Sequence, residues 1–142
     1  EYSWLSRLVC FLLVCFLIHV GFAADSPAGI FQTIDDETHK PRAQIQLSIK
    51  NNILYGSIIK VVPQPGDAGT CLYCPGNFKN KPIIGLQVLW GLKQTKDNHW
   101  TEGKILDPKK GDIYRCNLTV IDGGNKLKVR GYIGISLLGR TQ

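Results

Sequence analysis

The sequence predicts an all-β protein, a single up-and-down meander barrel of about eight strands, and three observations predict it. Short segments that alternate apolar and polar residues recur at a spacing of roughly ten residues. Turn signals rich in Gly, Asn, Asp and Pro separate them, and no stretch carries a convincing helical period. Gly56, Gly85, Gly103, Gly131 and Gly134 fall inside the predicted strands, where Gly permits the sharp coiling that lets a sheet close on itself. Closure removes exposed edges, and eight strands surround a space that side chains just fill or that holds one small ligand.

Residues 1–23 are set apart from this domain. Arg7 precedes an apolar run from Leu8 to Ile18, and Gly21-Phe22-Ala23 places small residues at the two positions a signal peptidase reads. A secretory signal cleaved before Ala24 is expected, because the run is shorter than the roughly 20 apolar residues of a membrane span. Cys10 and Cys15 lack the preceding small residue of a lipoprotein box. The chain opens on Glu1 and holds no Met, so it reads as a fragment lacking its start. Residues 24–142 make one domain of about 120 residues, large enough to bury roughly two-thirds of its unfolded surface around one core.

The elements follow in order. Ile30 to Ile34 is a short apolar segment before the acidic turn Asp35-Asp36-Glu37-Thr38. Ala43, Ile45, Leu47 and Ile49 alternate with Gln44, Gln46, Ser48 and Lys50, a strand with one dry face. Asn51-Asn52 turns the chain, since Asn tolerates positive φ. The third strand, Ile53 to Val62, sets Leu54, Gly56 and Ile58 on one face with Lys60, so a bulge is expected near its end. Residues 63–82 have no periodicity and hold four of the seven prolines, three glycines and the pair Cys71 and Cys74. A connection of this length is stapled, mobile or functional.

Periodicity resumes at Ile83. Ile84, Leu86, Val88, Trp90 and Leu92 share one face of a strand apolar on nearly both sides, which calls for cover. Lys93 to Asn98 reads as a polar turn and Trp100 to Leu106 as the next strand. Two turns, Asp107-Pro108-Lys109-Lys110-Gly111 and Asp122-Gly123-Gly124-Asn125, then bracket a strand with Tyr114, Cys116, Leu118 and Val120 on one face. Leu127, Val129, Gly131 and Ile133 share a face of the strand that folds back on it, and Ile135 to Gly139 supplies the last.

Charge and motifs narrow the function. There are 17 Lys and Arg against 11 Asp and Glu. These cations are spaced one or two per strand on the wet faces and form no cluster interleaved with aromatics, so a solvated surface is expected and no nucleic-acid partner. Cys71-Leu72-Tyr73-Cys74 suggests a small-loop disulfide in an oxidising compartment. A thioredoxin-like pair wants a helix N-terminus, whereas Pro75-Gly76 follows here. A zinc site wants about four ligands, and only Cys116, His39 and His99 remain to complete one. Cys116, on an apolar face, reads as a buried inert thiol. His39 and His99 sit in turns with no nucleophile beside them, so no enzyme, metal or cofactor is expected. Asn117-Leu118-Thr119 matches a glycosylation acceptor but lies mid-strand.

Four ordered motifs, Thr33-Ile34-Asp35-Asp36-Glu37-Thr38, Asn80-Lys81-Pro82-Ile83-Ile84-Gly85, Gly103-Lys104-Ile105-Leu106-Asp107-Pro108 and Val129-Arg130-Gly131-Tyr132-Ile133-Gly134, together with the two-Cys loop, resemble the bacterial secreted family of domain of unknown function 2147. The resemblance covers nearly all of residues 24–142. It implies a periplasmic, lipocalin-like β-barrel with an internal cavity and no assigned enzyme activity. Members tend to carry Gly-x-Trp where this chain has Gly29-Ile30-Phe31. In lipocalin-like barrels that Trp closes one end beneath an Arg, so the analogy implies barrel closure by Phe31 under Arg140. Members also tend to run past Gly-Arg-Thr-Gln, which leaves the pairing of the last strand with the first open.

The leading expectation is a small periplasmic or secreted protein that binds an apolar or amphipathic small molecule within the barrel. Ile45, Leu47, Ile84, Leu86, Val88, Trp90, Tyr114, Leu118, Val129 and Ile133 are the candidate lining, with plain core packing as the alternative for each. Tyr114 and Trp90 are candidates to hydrogen-bond a ligand's head group. The rival is an envelope interaction or structural protein with a solid barrel and a stapled partner-binding loop. The sequence leaves open whether a homodimer or an envelope protein is its partner, and expects no membrane span after signal cleavage.

Overall fold

The computed structural model describes residues 25–35, 37–131 and 134–141. The predicted signal segment 1–23, and Ile133, lie outside the described residues. Eight strands follow one another: β1 (Gly29–Ile34), β2 (Pro41–Lys50), β3 (Ile53–Val61), β4 (Gln87–Lys96), β5 (His99–Asp107), β6 (Asp112–Ile121), β7 (Lys126–Gly131) and β8 (Gly134–Arg140). Each pairs with the next, and β8 returns to β1 to close the barrel. That last seam sets Phe31 opposite Arg140 and Thr33 opposite Leu138, so the strand ending at Arg140 is long enough to complete the ring.

Short turns join the strands at one end of the barrel, where Asn51 and Asn52 both take positive φ. At the other end, the mouth, residues 62–86 span the link from β3 to β4. Register decides what faces in. Ile45, Phe31 and Ile58 stand opposite one another across β1, β2 and β3, and Trp100, Leu118 and Val129 across β5, β6 and β7. Opposed residues share a face, and these rows supply the main core, which holds Phe31, Leu47, Leu54, Leu89, Leu92, Trp100, Leu118 and Leu127 among others. Phe31, Leu54, Leu92 and Leu127 have no exposed surface. The half of the barrel away from the mouth is filled by its own side chains.

Gly103 shows how tightly. It is buried opposite Cys116, and a Cβ there would overlap Leu92 Cγ. The register slips beside it, between Trp100 and Gly103, because Glu102 turns through a left-handed φ of 62° and brings two inward residues three positions apart. The bulge expected late in β3 lies opposite the slip between Gln44 and Ile45. It turns Lys60 outward and lets Ile58 and Val61 both face inward.

Strand β4 departs from its predicted form. Gly85 has a φ of +92°, which ends extended pairing, and the strand begins only at Gln87. It then continues through the predicted polar turn to Lys96, since pairing of Lys93 with Thr101 and Gln94 with Trp100 needs those residues extended. Gly91, at φ +74°, inserts a bulge, so Leu89 and Leu92 face the main core while Val88 and Trp90 face away. A second core forms there. Val88, Trp90 and Leu106 pack there with Ile58 and with Cys71, Cys74, Phe78 and Leu86 of the long loop, and Ile45 and Val61 abut the same cluster. This supplies the cover that a two-sided apolar strand demands.

Candidate functional site

The inward rows change character along the barrel. On β2, Leu47 is 2% exposed, whereas Ile45 and Ala43, nearer the mouth, are half-buried. On β6 the series Leu118, Cys116, Tyr114, Asp112 runs from buried through half-buried to exposed. Buried Gly103 and half-buried Ile105 repeat the gradient on β5. The inward rows are thus buried below and only half-buried at the mouth, at Thr33, Ala43, Ile45, Ile105 and Tyr114.

Beside these half-buried residues, the long loop and the β5–β6 turn enclose a groove of ≈ 550 Å³. Val61, Pro63, Leu72, Tyr73, Ile83, Ile84 and Pro108 make its apolar walls, with Arg42, Asp67 and Lys109 at its polar edge. Val61 belongs to both, since it faces inward opposite Ala43 and also lines the groove. Several walls are unusually bare for their chemistry: Leu72 is 47%, Ile84 62% and Tyr73 73% exposed. Apolar side chains grouped on a surface in this way mark a binding region.

The loop is held in place from both ends. Cys71 and Cys74 form a disulfide and are buried against the wall. Around them the chain doubles back, with Cys71 N donating to Lys81 O at 2.8 Å and Ile83 N to Gly69 O at 3.0 Å. Arg42 on β2 grips the loop's first part: its guanidinium meets both Asp67 carboxylate oxygens, at 2.9 and 2.7 Å, and Val62 O at 2.6 Å. The Arg42 hydrogen bond, with a second from Gln64 N, holds the Asp67 carboxyl below its usual value and in turn raises Arg42. Phe78 stacks on Trp90 at 5.5 Å between ring centroids, pinning the loop's far side.

The predicted lining residues divide accordingly. Ile45 and Tyr114 are half-buried on the inward face near the mouth, where the Tyr114 hydroxyl donates to Asp112 Oδ2 at 3.0 Å. Desolvation, with the Asp112 carboxylate, raises the Tyr114 phenol. Leu47, Leu118 and Val129 lie in the filled floor. Leu86, Val88 and Trp90 belong to the second cluster, with Ile58, Leu106 and the loop's Cys71 and Cys74, and not to the main core. Ile84 belongs to no strand and lines the groove instead. The single face that alternation across 83–92 predicts is broken at Gly85 and Gly91, whose φ angles are positive. Ile105, Leu72 and Tyr73 were legible only as turn and strand residues, because what unites them is proximity across the mouth.

At the opposite end, Arg140 lies over the Phe31 ring, its Cζ 4.5 Å from the centroid. Its guanidinium also donates to Gly124 O, Ala28 O and Ser26 O at 2.9, 2.9 and 3.0 Å, tying the segment before β1 to the β6–β7 turn. Cys116 is buried in the main core as a free thiol, and burial pushes its pKa up to about 12. His99 Nδ1 lies 2.8 Å from Asp97 O in the β4–β5 turn. Among the described residues, no three His, Cys, Asp or Glu side chains gather as metal ligands, and no helix is long and apolar enough to cross a membrane.

The cations do not stay scattered once the sheet is formed. Lys104, Arg115 and Arg130, from three strands, meet around a surface groove of ≈ 590 Å³ on the outer wall.

Residues 29–142 match a family described as an uncharacterized protein conserved in bacteria (DUF2147). The fold is similar to that of protein HP1028 from the human pathogen Helicobacter pylori, described as belonging to the lipocalin family. The two share a TM-score of 0.70 and 19% sequence identity over 83% of this chain and 84% of that one. No curated protein matches significantly.

Proposed function

This chain belongs to the DUF2147 family and folds as a lipocalin-like barrel, and from that premise we propose that it is an exported binding protein for an apolar or amphipathic small molecule. The ligand's apolar part occupies the mouth, in the groove between the stapled loop and the β5–β6 turn. It does not thread the barrel, because the far half has no room. One observation carries this reading: exposed Leu72, Tyr73 and Ile84 share an apolar groove of ≈ 550 Å³, a volume within the range of small-ligand sites. Lys109 on its edge suits a ligand with an acidic head group, while Arg42 is held by Asp67. Binding rather than catalysis is supported by the isolated histidines and the inert Cys116 thiol. Export is supported by the apolar run after Arg7 and by the Cys71–Cys74 disulfide, which belongs to an oxidising compartment.

The test uses a long-chain fatty acid with a fluorescent tail. Ile84→Asn and Leu72→Asn alter exposed side chains and are expected to weaken binding at least tenfold without changing the melting temperature. Leu118→Ala, in the floor, is expected to lower the melting temperature and leave affinity as it was. Affinity indifferent to Ile84 and Leu72, or sensitive to Leu118 alone, would sink the mouth site. Cell fractionation, with N-terminal sequencing for a mature start at Ala24, tests export.

A second reading has its own support. Tyr73, on the loop tip and 73% exposed, and the solid floor both suit a barrel that presents the stapled loop to a protein of the envelope. In that case Tyr73→Ser abolishes capture of the partner while fatty-acid binding is absent in every variant.

A further inference from the structure

The outer wall of β5, β6 and β7 carries charge that nothing in the described fold balances. Lys104 stands directly opposite Arg115, Asn117 opposite Arg130, and Thr119 opposite Lys128. These residues alternate with the buried Cys116, Leu118 and Val129, so all face outward, and the four cations are exposed. Like charges directly opposite one another on a sheet repel, yet among the described residues none of the four has a carboxylate within ion-pair distance. Of the nearby acids, Glu102 lines the same groove but lies 3.6 Å from Lys93, and Asp122 lies 3.9 Å from Lys126.

We propose that this wall is a docking face for an anionic phospholipid surface, with Lys104, Arg115, Lys128 and Arg130 set against lipid phosphates. The arrangement selects an extended partner over a single ion. Three strands span roughly 10 Å across, and Lys128 to Lys104 covers a comparable distance along the wall. A compact anion would need donors within hydrogen-bond reach of one point, whereas Lys104, Arg115 and Arg130 ring a groove of ≈ 590 Å³ with Lys128 outside it, so each can meet a separate head group. Nucleic acid is the less fitting occupant, since single strands want bare aromatic faces between the cations. Trp90, opposite Lys104, stacks on Phe78 instead. The inference stands on the wall alone and does not depend on what the mouth binds.

The experiment is co-sedimentation of the full chain with vesicles of phosphatidylglycerol and phosphatidylcholine, one to one, against phosphatidylcholine alone. The readout is the ratio of the two affinities, which an apolar segment inserting into either vesicle does not set. The ratio is expected to be large at about 20 mM salt and to collapse as salt shortens the screening length at about 200 mM. Arg115→Gln with Arg130→Gln is expected to reduce binding to the anionic vesicles on the order of 30-fold. Lys104→Gln with Lys128→Gln should do likewise, and either pair suffices if the other fails to fold. Lys40→Gln with Lys50→Gln removes the same charge from the β1–β2 turn and the end of β2, and should leave binding within about threefold. Equal affinity for both vesicles, or as large a loss in the Lys40 and Lys50 variant, overturns the proposal. So does tighter binding of a single-stranded oligonucleotide through the same residues at the same salt.

Discussion

Replacing Arg140 by Lys tests how the barrel is sealed away from its mouth. The guanidinium donates three hydrogen bonds, to Gly124 O, Ala28 O and Ser26 O, while its plane covers the Phe31 ring. A lysine keeps the charge but offers one compact ammonium, which reaches at most one of three carbonyls set around a planar fork. Two bonds at about 1 kcal/mol each, discounted for their partial exposure, and a share of the stacking put the loss at roughly 2 kcal/mol. For a domain of this size the melting temperature should fall by about 10 °C, read by circular dichroism at pH 7. A double-mutant cycle with Phe31→Leu should return a coupling of about 0.5–1 kcal/mol. Gly29→Ala should act through the same clamp, because its Cβ would strike Arg140 Nη1 and its φ of +134° disfavours any side chain. A Lys variant that melts within about 2 °C of the wild type would refute the reasoning and reduce the three hydrogen bonds to decoration.

Three further outcomes follow from the same geometry. Gly103→Ala should cost about 1–3 kcal/mol in urea unfolding, as overpacking against buried Leu92 does; an unchanged midpoint would show that the floor has spare room. The Asp67 carboxylate, held low by Arg42, is stabilising above its ordinary value of 3.8 and loses that contribution as pH falls through the lower folded value. Amide exchange in residues 62–69 should therefore quicken only in strong acid, and Asp67→Asn should show quick exchange already at pH 7; greater protection on acidification contradicts the ion pair. Cys116, with its thiol pushed up to about 12, holds roughly one part in 10⁴ thiolate at pH 8. Peptide mapping after iodoacetamide should find it unmodified in the native chain and modified in guanidinium, and prompt native labelling would count against its burial.

Much of the barrel was written locally. A strand that is wet on one side and dry on the other announces its faces every second residue, so β2, β6 and β7 could be read from Ala43 to Lys50, from Tyr114 to Val120 and from Leu127 to Gly131. The Asn51-Asn52 and Gly123-Gly124 turns declared themselves through the few residues that accept positive φ. β4 could not be read this way, since Gly85 and Gly91 shift the pattern silently and both of its faces are apolar.

What alternation determined, then, is which residues lie on which face of the strands that no bulge interrupts. Only the closed sheet decided what those faces meet: that Val88 and Trp90 pack under a disulfide-stapled loop, that the floor is solid, and that cations spaced along three strands converge on one wall. Facing is a property of a backbone two residues long, which neighbours along the chain dictate. Meeting depends on register between segments dozens of residues apart, and a single bulge at Glu102 or Gly91 reassigns every contact beyond it.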